Sequence, residues 1–418
     1  MKGVFIILDG VADESCPVLE QKTPLEFAKT PNLDEIAKKS KLDYCYTVKE
    51  GVAPESSSAI VSLFGYDPEY APRGPLEAAG MGIHLKKGDL VFRCNFATID
   101  DMESKTVLDS RAGRTLTNKE ARILAKAINE EVKLPFKFEF YSGREHRAVL
   151  VFRGGFSDNI SNADPFYGVG SVKVHSAQPK MVFSKPFDDE DDSKLAADLV
   201  NQFIMKSHEV LDKHPVNIMR AKKGFYAANL ILCRDAGNEP AKYKKLKGKW
   251  RALGYNPLEI GIARAFGMDL YSFRVDKFKG IDVYEHLFVT LRKAIKYAIK
   301  LLKRYKKRDD YFYIHFKETD LPGHDNKPME KVKMIEMLDE RFFSFLKNFI
   351  GESKLIVTAD HATSCKKKVH TDGAVPVLSY PNFEGKISEG QRFIESEGLK
   401  GRKIMGRRLL EEKMFGKK

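Results

Sequence analysis

Carboxylate and imidazole side chains recur directly after segments that are predicted to be buried strands. In chain order these residues are Asp9, Asp320, His324, Asp360, His361 and His370. Because the functional groups of an open α/β sheet gather outside the carboxyl ends of its strands, we expect all six at one edge of a sheet. Carboxylates and imidazoles suit manganese, zinc or, less well, magnesium. Two such ions about 4 Å apart can stabilise both the attacking and the leaving oxygen of a phosphoryl transfer.

Taken singly, each of these positions also has a structural interpretation. The spacing of Asp320–His324 fits one helical turn, but Pro322-Gly323 favours a non-helical turn. Asp360-His361 alone could cap a helix, and His370 alone could lie on the surface. His315, inside an apolar segment, is expected in the core. The joint arrangement of the six, rather than any one of them, predicts metal binding.

A nucleophile is predicted where a turn leads into a helix. Gly51–Ile60 reads as such a junction, and Ser56 stands at its helical end. The positive end of a helix favours a phosphorylated side chain, and a metal could activate the hydroxyl without a separate base. From spacing alone, a plain serine N-cap is the preferred explanation of Ser56.

The elements that position these residues alternate between strand and helix at both ends of the chain. This rhythm predicts a mostly parallel sheet flanked by helices, and thus an α/β fold. We expect residues 1–85 and 241–418 to form one discontinuous metal-binding catalytic domain. An α+β domain inserted at residues 86–240 would then bind the substrate as a cap. Within it, 222–224 and 235–240 are predicted to be loops.

Composition bounds the environment of the protein. The 418 residues carry a formal net charge of +13, which we attribute mainly to a lysine-rich surface rather than to nucleic-acid binding. No stretch approaches the ~18–20 apolar residues of a membrane span, and the N-terminus lacks a signal-peptide cleavage site. The five scattered cysteines predict no disulfide framework and fit a reducing cytoplasm.

Several motifs resemble those of the archaeal-type cofactor-independent phosphoglycerate mutases, within the alkaline phosphatase-like superfamily. The resemblance runs nearly end to end. It rests on Gly51–Pro54, Ser56, Leu63–Pro68, Arg73–Ala78, Phe92–Thr98, Arg111–Arg114, His146–Val149, Asp320–Asp325 and Thr358–Thr363. It implies an alkaline phosphatase-like catalytic domain with the smaller domain inserted in it.

The resemblance also implies roles for the predicted site. Ser56 would attack the phosphoryl group of 3-phosphoglycerate, and the other hydroxyl of the retained glycerate would take it back to give 2-phosphoglycerate. Mn²⁺ is the expected metal, with Zn²⁺, Co²⁺ or Mg²⁺ as alternatives, and 2,3-bisphosphoglycerate is not required. One ion would be held by Asp9, Ser56, Asp360 and His361, and the other by Asp320, His324 and His370.

Cationic and polar side chains would bind the anionic substrate, because the guanidinium fork suits carboxylate and phosphate. The candidates are Arg93, Asn95, Arg111, Arg114, His146, Arg147, Arg234 and Lys317. We expect a small-molecule substrate as the partner, with no nucleic acid and no membrane.

The sequence departs from the family pattern around the nucleophile and the substrate. Ser57 and Ile60 replace an acidic residue and a histidine, and Asp235 stands where glycine is usual. Ala12 and the 371–374 loop differ as well. These changes keep open a phosphatase, or a mutase of another phosphorylated metabolite, on the same core.

Overall fold

The chain is organised as two compact units. The computed structural model describes residues 1–168, 179–275, 282–308, 310–382 and 389–416. Met1–Ala71 and Tyr243–Lys418 form one, here called the two-segment unit, and Pro72–Lys242 forms the other, here called the inserted unit. No helix among the described residues is both long enough and apolar enough to cross a membrane.

The regular elements are numbered in chain order. The strands are β1 (Gly3–Leu8), β2 (Lys41–Tyr46), β3 (Leu90–Ile99), β4 (Val107–Asp109), β5 (Phe138–Ser142), β6 (Arg147–Phe152), β7 (Leu230–Gly237), β8 (Trp250–Gly254), β9 (Asp269–Ser272), β10 (Tyr311–Phe316), β11 (Lys354–Thr358), β12 (Ala362–Ser364), β13 (Val369–Thr371), β14 (Val375–Tyr380) and β15 (Lys403–Met405). The α-helices are α1 (Pro24–Phe27), α2 (Pro31–Lys38), α3 (Ser56–Leu63), α4 (Arg73–Met81), α5 (Asn118–Glu131), α6 (Asp191–Asp212), α7 (Pro215–Lys222), α8 (Pro257–Ala265), α9 (Val283–Tyr305), α10 (Asp320–His324), α11 (Pro328–Leu338), α12 (Ser344–Phe349) and α13 (Glu395–Gly398).

The two-segment unit is built on a mostly parallel sheet of order β15-β2-β14-β11-β1-β10-β8-β9. Strands β11, β1, β10, β8 and β9 run parallel to one another, whereas β14 is antiparallel to β11 and β2. Every residue of β1, with the sequence Gly-Val-Phe-Ile-Ile-Leu, is buried. Continuous apolar strands of this kind are typical of parallel sheets that are covered on both faces. The predicted α/β class and mostly parallel sheet are confirmed.

Aromatic packing fixes helix α3 against this sheet. Phe64, directly after α3, lies with its ring centroid 5.5 Å from that of Phe5 in β1 and 5.0 Å from that of Tyr313 in β10, both edge-on. Phe266 covers the other side of Phe64 at 5.0 Å. The C-terminal end of α3 is therefore anchored in the core, and this contact sets the position of its first residue, Ser56.

The inserted unit is a five-stranded antiparallel sheet packed against helices. Strand β3 pairs with β6, β7 and β4, and β6 pairs with β5. Apolar residues of these strands and of α5 and α6 share one core. This unit begins at Pro72, not at residue 86 as predicted, because α4 packs on its sheet. A Cβ on Gly74 would meet the Val91 carbonyl oxygen at 2.5 Å, and Ala78 packs with Val91, Val149 and Val151.

Two local predictions were wrong, and one strand was missed. The predicted loop at 235–240 begins inside β7, whose register shifts from Arg93↔Arg234 to Val91↔Gly237. The extra residue bulges, and Asp235 takes φ = +53°. Strand β8 was not predicted at all. Asp320–His324 forms the short helix α10 rather than a non-helical turn, since Pro322 lies in the first turn, where no backbone N–H is needed.

Candidate active site

The central strands of the two-segment unit bring the predicted ligands together. Strand β1 lies between β10 and β11, with Leu8 paired to Phe316 and Ile7 to Thr358. Each strand thus ends at the same level, and Asp9, α10 and Asp360 follow directly. The prediction from chain order, that these residues share one sheet edge, agrees with this placement.

The first cluster consists of Asp9, Asp360 and His361, whose ligand atoms lie within 4.8 Å of one another. Asp360 Oδ1 accepts hydrogen bonds from the backbone N–H groups of Gly10 and His361, each at 3.1 Å. Asp360 Oδ2 and Asp9 Oδ1 accept no hydrogen bond from the described residues. Both oxygens face His361 Nε2, at 3.3 and 3.4 Å. One oxygen of each buried carboxylate is therefore available for a cation.

The tautomer of His361 follows from its second contact. Its Nδ1 lies 3.0 Å from Thr363 Oγ1, and that hydroxyl donates to Asp320 Oδ1 at 2.7 Å. With its proton committed to Asp320, Thr363 can only accept from His361, so Nδ1 carries the hydrogen. In the neutral ring Nε2 then presents a lone pair to two carboxylate oxygens, which fits a metal ligand. Burial lowers the pKa of His361, but Asp360 and Asp9 outweigh it and raise that pKa to about 9.

Ser56 contacts this cluster directly. It is the first residue of α3, it is buried, and its Oγ lies 3.2 Å from His361 Nε2. The helix cap is Glu55, without a side-chain capping bond, so the alternative interpretation of Ser56 as an N-cap is wrong. Ser58 donates instead to the Glu55 carbonyl at 2.9 Å.

The second cluster consists of Asp320, His324 and His370. The Nδ1 atoms of His324 and His370 face carbonyl oxygens, those of Lys368 at 3.0 Å and Pro54 at 2.9 Å. A carbonyl only accepts, so both Nδ1 atoms carry hydrogen. The two Nε2 atoms then face each other at 3.2 Å, and Asp320 oxygens lie 3.4 and 3.6 Å away.

Two lone pairs opposed at this distance repel unless a cation or proton lies between them. This second donor set therefore fits a divalent metal, with each imidazole oriented by a backbone carbonyl. Burial raises the pKa of Asp320, yet the neighbouring His324 and His370 bring it well below its usual range. The ring of His370 stacks on that of His361 at 3.7 Å, so the two clusters are adjacent.

Two further side chains contact Asp9 in the two-segment unit, and Glu259 lies beside them. Lys317, predicted to bind substrate, contacts Asp9 Oδ2 and lies 3.2 Å from Glu259 Oε1. Burial lowers the pKa of Lys317, but Asp9 and Glu259 outweigh it and raise that pKa. His315 is buried as predicted, but its Nε2 lies 3.0 Å from Asp9 Oδ2. Sequence reasoning missed His315 and Glu259 as site residues. The available signal for His315 was its position two residues before Lys317, because residues two apart in an extended segment point to the same face.

The inserted unit gathers the predicted substrate residues around a buried histidine. Burial lowers the pKa of His146 well below its usual value, and the nearby Arg147, Arg111, Arg93 and Arg114 lower it further. Several of the polar atoms here are buried and form no hydrogen bond among the described residues. They are Arg93 Nη1, Asn95 Oδ1, His146 Nδ1, Arg234 Nε and Arg234 Nη1. The three guanidinium nitrogens in this set are donors, and they are suited to an anion with several oxygens.

Two acidic residues border this cationic cluster. Arg234 stacks 3.3 Å from the ring centroid of Tyr167, and its Nε lies 3.8 Å from Asp164 Oδ2 and 3.7 Å from Asp235 Oδ2. Burial raises the pKa of Asp164 to about 7, although Arg93 and Arg111 oppose the shift. Asp164 was not predicted, since one aspartate in a turn-like segment carries no signal of its own.

Comparisons with known proteins show which sequences and structures the chain is similar to. The sequence model for 2,3-bisphosphoglycerate-independent phosphoglycerate mutase matches residues 37–217. Enzymes of that name from Thermococcus kodakarensis and Aeropyrum pernix are 40% and 37% identical to this chain. The first alignment covers 90% of this chain and 87% of the relative, and the second 96% and 95%.

Solved structures extend the similarity to the fold. A protein from Pyrococcus horikoshii superposes with a TM-score of 0.73 at 30% identity, covering 99% of this chain and 96% of its own. The cofactor-independent phosphoglycerate mutase from Thermoplasma acidophilum gives a TM-score of 0.56 at 27% identity, covering 99% of each chain. With these identities extending over nearly its whole length, the chain belongs to the family of 2,3-bisphosphoglycerate-independent phosphoglycerate mutases.

Proposed function

We propose that this protein interconverts 3-phosphoglycerate and 2-phosphoglycerate without 2,3-bisphosphoglycerate, and that Ser56 carries the phosphoryl group in between. The observation that supports this most directly is the position of Ser56 Oγ, 3.2 Å from His361 Nε2 at the start of α3. The hydroxyl stands beside two carboxylates that each retain an open oxygen. A nucleophile in that setting suits phosphoryl transfer.

The donor atoms fit two divalent cations. Asp9 Oδ1, Asp360 Oδ2, His361 Nε2 and Ser56 Oγ would hold one, and Asp320, His324 and His370 the other. Mn²⁺ is the metal we propose, because mixed carboxylate and imidazole sets suit it, with Zn²⁺, Co²⁺ and Mg²⁺ as alternatives. When bound, such ions lower the pKa of a coordinated hydroxyl and neutralise the charge of the transferring group.

The chain itself contributes nucleophile and charge. Ser56 Oγ forms a bond to phosphorus as the glycerate oxygen leaves with a proton, and the positive end of α3 stabilises the resulting phosphoserine. The second glycerate hydroxyl then attacks that phosphorus, loses its proton and releases Ser56. Lys317 keeps its ammonium charge beside Asp9 throughout, because Asp9 and Glu259 hold its pKa high.

The inserted unit would hold the substrate by its anionic groups. Arg93, Arg111, Arg114, Arg147 and Arg234, with Asn95 and His146, are the proposed contacts. Arg93 is oriented for this role, since its Nε donates to Glu77 Oε1 at 2.8 Å while Nη1 forms no hydrogen bond within the described chain. Retaining glycerate between the two transfers is what separates a mutase from a phosphatase.

The test is an enolase-coupled assay with 3-phosphoglycerate, Mn²⁺ and no bisphosphoglycerate. Wild type should turn over, Ser56→Ala should lose all measurable activity, and Ser58→Ala, which deletes a neighbouring hydroxyl that donates to the Glu55 carbonyl, should retain it. Chelation should abolish activity, and added Mn²⁺ should restore it. Release of free phosphate faster than 2-phosphoglycerate forms would contradict the mutase and support the phosphatase suggested by Ser57, Ile60 and Asp235.

A further inference from the structure

A buried hydrogen-bond chain approaches the candidate metal site from behind. Tyr313 and His315 lie two residues apart in β10 and are fully buried. The hydroxyl of Tyr313 lies 3.0 Å from His315 Nδ1, and His315 Nε2 lies 3.0 Å from Asp9 Oδ2. The three groups form an unbroken line that ends on a proposed ligand. Both ring nitrogens of His315 are thus hydrogen-bonded, and one of the two bonds is made to a proposed metal ligand.

The direction of these hydrogen bonds is set by their acceptor end. A carboxylate can only accept, so His315 must carry hydrogen on Nε2. In the neutral ring Nδ1 is then an acceptor, and the Tyr313 hydroxyl donates to it. Burial, with the nearby Glu259 and Asp360, raises the pKa of Tyr313 well above its usual value, so this donor keeps its proton.

The chain has a consequence for Asp9. Oδ2 is contacted by His315 and by Lys317, whereas Oδ1 accepts no hydrogen bond from the described residues and faces His361 Nε2. His315 and Lys317 together hold Oδ2, and without the His315 donor the carboxylate is less restrained about its terminal torsion, which is broad and roughly two-fold. By holding Oδ2, His315 determines that Oδ1 is the Asp9 oxygen that faces His361.

We propose that His315, oriented by Tyr313, is a positioning residue that holds Asp9 with Oδ1 directed to the metal. The inference rests on the proposed metal site. It deepens that site by adding two residues that touch neither metal nor substrate. Partners of ligands at this remove change metal affinity by about 10–100-fold when they are lost.

The experiment measures Mn²⁺ binding to the metal-stripped full-length protein by titration calorimetry and by the electron spin resonance of free Mn²⁺. We expect His315→Leu to weaken binding by about 10–100-fold. His315→Gln, whose amide nitrogen can take the place of Nε2–H, should recover most of it. The Mn²⁺ affinity of Tyr313→Phe should fall between those of wild type and His315→Leu. The kcat values at saturating Mn²⁺ should follow the same order.

Matched controls separate positioning from folding. His208→Leu removes a buried imidazole of the inserted unit, whose Nδ1 lies 2.8 Å from the Asn229 carbonyl oxygen, and should change stability without changing Mn²⁺ affinity. Unchanged affinity in a folded His315→Leu protein would overturn the inference and leave the mutase intact. If wild type turned over but bound no Mn²⁺, both the metal site and this inference would fall. If wild type bound Mn²⁺ but did not interconvert the phosphoglycerates, the proposed reaction would be wrong and the metal site would stand.

Discussion

At the scale of single residues, a polar side chain of the candidate site uses one polar atom to fix its own orientation and directs another toward the site. Asp360 Oδ1 accepts hydrogen bonds from two backbone N–H groups, and His370 Nδ1 donates to a carbonyl oxygen. Asp360 Oδ2 and His370 Nε2 are the atoms that would contact a ligand. This division cannot be read from a sequence. Chain order predicts that these residues meet, but not which atom of each is already committed.

Asp235 stands where the family resemblance implies a glycine, and its backbone conformation is one that glycine adopts readily. The backbone takes φ = +53° at a bulge, and the carboxylate lies 3.7 Å from Arg234 Nε. We expect Asp235→Asn to lower the KM for 3-phosphoglycerate about two- to fivefold, because Arg234 would lose an internal anionic competitor worth up to about 1 kcal/mol. Asparagine also tolerates this backbone conformation, so stability should change little.

Initial-rate kinetics would measure this effect. Asp189→Asn removes the same charge from a fully exposed position of the inserted unit and is the matched control. A KM that stays the same in Asp235→Asn, or that rises, would show that the carboxylate does not compete with substrate.

Asp164 predicts a pH dependence of stability. Burial raises its pKa to about 7 in the folded protein, above its ordinary value of 3.8. The folded state then holds this proton more tightly than the unfolded chain does. Its contribution to stability is thus fully present below pH 4 and is lost as the pH rises from 4 to 7. The loss is at most about 4 kcal/mol.

The measurement compares wild type with Asp164→Asn by urea denaturation at pH 5 and at pH 8. Shared contributions from other groups cancel in the difference between the two proteins. We expect the variant to gain stability relative to wild type on going to pH 8. An equal difference at both pH values would mean that Asp164 titrates in the folded protein as it does in water.

At the scale of elements, sequence patterns predicted helices and strands whose apolar residues repeat with a regular period. They missed structure that depends on pairing with a distant strand. Apolar periodicity predicts a strand at 147–152, a helix near 118–131 and a helix at 283–305, and the structure has β6, α5 and α9 there. The end of β7 looked like a loop, since Arg234 and Asp235 are charged residues that lie beside Asp164 and Tyr167. Its place in the sheet depends on β3, which is more than 130 residues away, and no local pattern records that partner.

Helix α10 depends on a close approach that only glycine permits. A Cβ on Gly323 would lie 2.8 Å from the Thr363 carbonyl oxygen and 2.7 Å from its Cγ2. We expect Gly323→Ala to push α10 away from β12 and to separate Asp320 and His324 from His361. Activity should fall at least 100-fold, with a loss of about 1–3 kcal/mol in stability from overpacking.

Gly373→Ala is the matched control near the same site. A Cβ there would meet Ala362 and Thr371 at 3.5 Å, which is ordinary contact. Enzyme assays and thermal unfolding of both variants would decide the question. If Gly323→Ala were as active as Gly373→Ala, the proposed dependence on close packing would be wrong.

At the scale of the whole molecule, the inserted unit interrupts the sequence of the two-segment unit, which is formed by the chain before it and the chain after it. The strand at the centre of the active-site sheet, β1, comes from the first segment, while its neighbours β10 and β11 come from the second. The inserted unit has its own core of buried apolar residues. Each unit should therefore fold as a single piece, but neither segment of the two-segment unit should fold without the other.

This organisation predicts the outcome of cutting the chain. Residues 72–242 alone should unfold cooperatively, whereas residues 243–418 alone should aggregate, because loss of β1 exposes the apolar edges of β10 and β11. Joining 1–71 to 243–418 by a short Gly/Ser linker should restore a folded unit. The ends to be joined are close, since the Tyr66 and Tyr243 rings are 5.4 Å apart and Tyr66 donates to the Lys244 carbonyl.

Circular dichroism, thermal melts and Mn²⁺ titration would follow these three proteins. The joined unit retains all seven proposed ligands and should bind Mn²⁺, but it should not interconvert phosphoglycerates, because the arginines that would retain glycerate are gone. Phosphate release by that unit would argue that the inserted unit is what makes the core a mutase. A joined unit that fails to fold while 72–242 also fails would show that the two units are one cooperative structure.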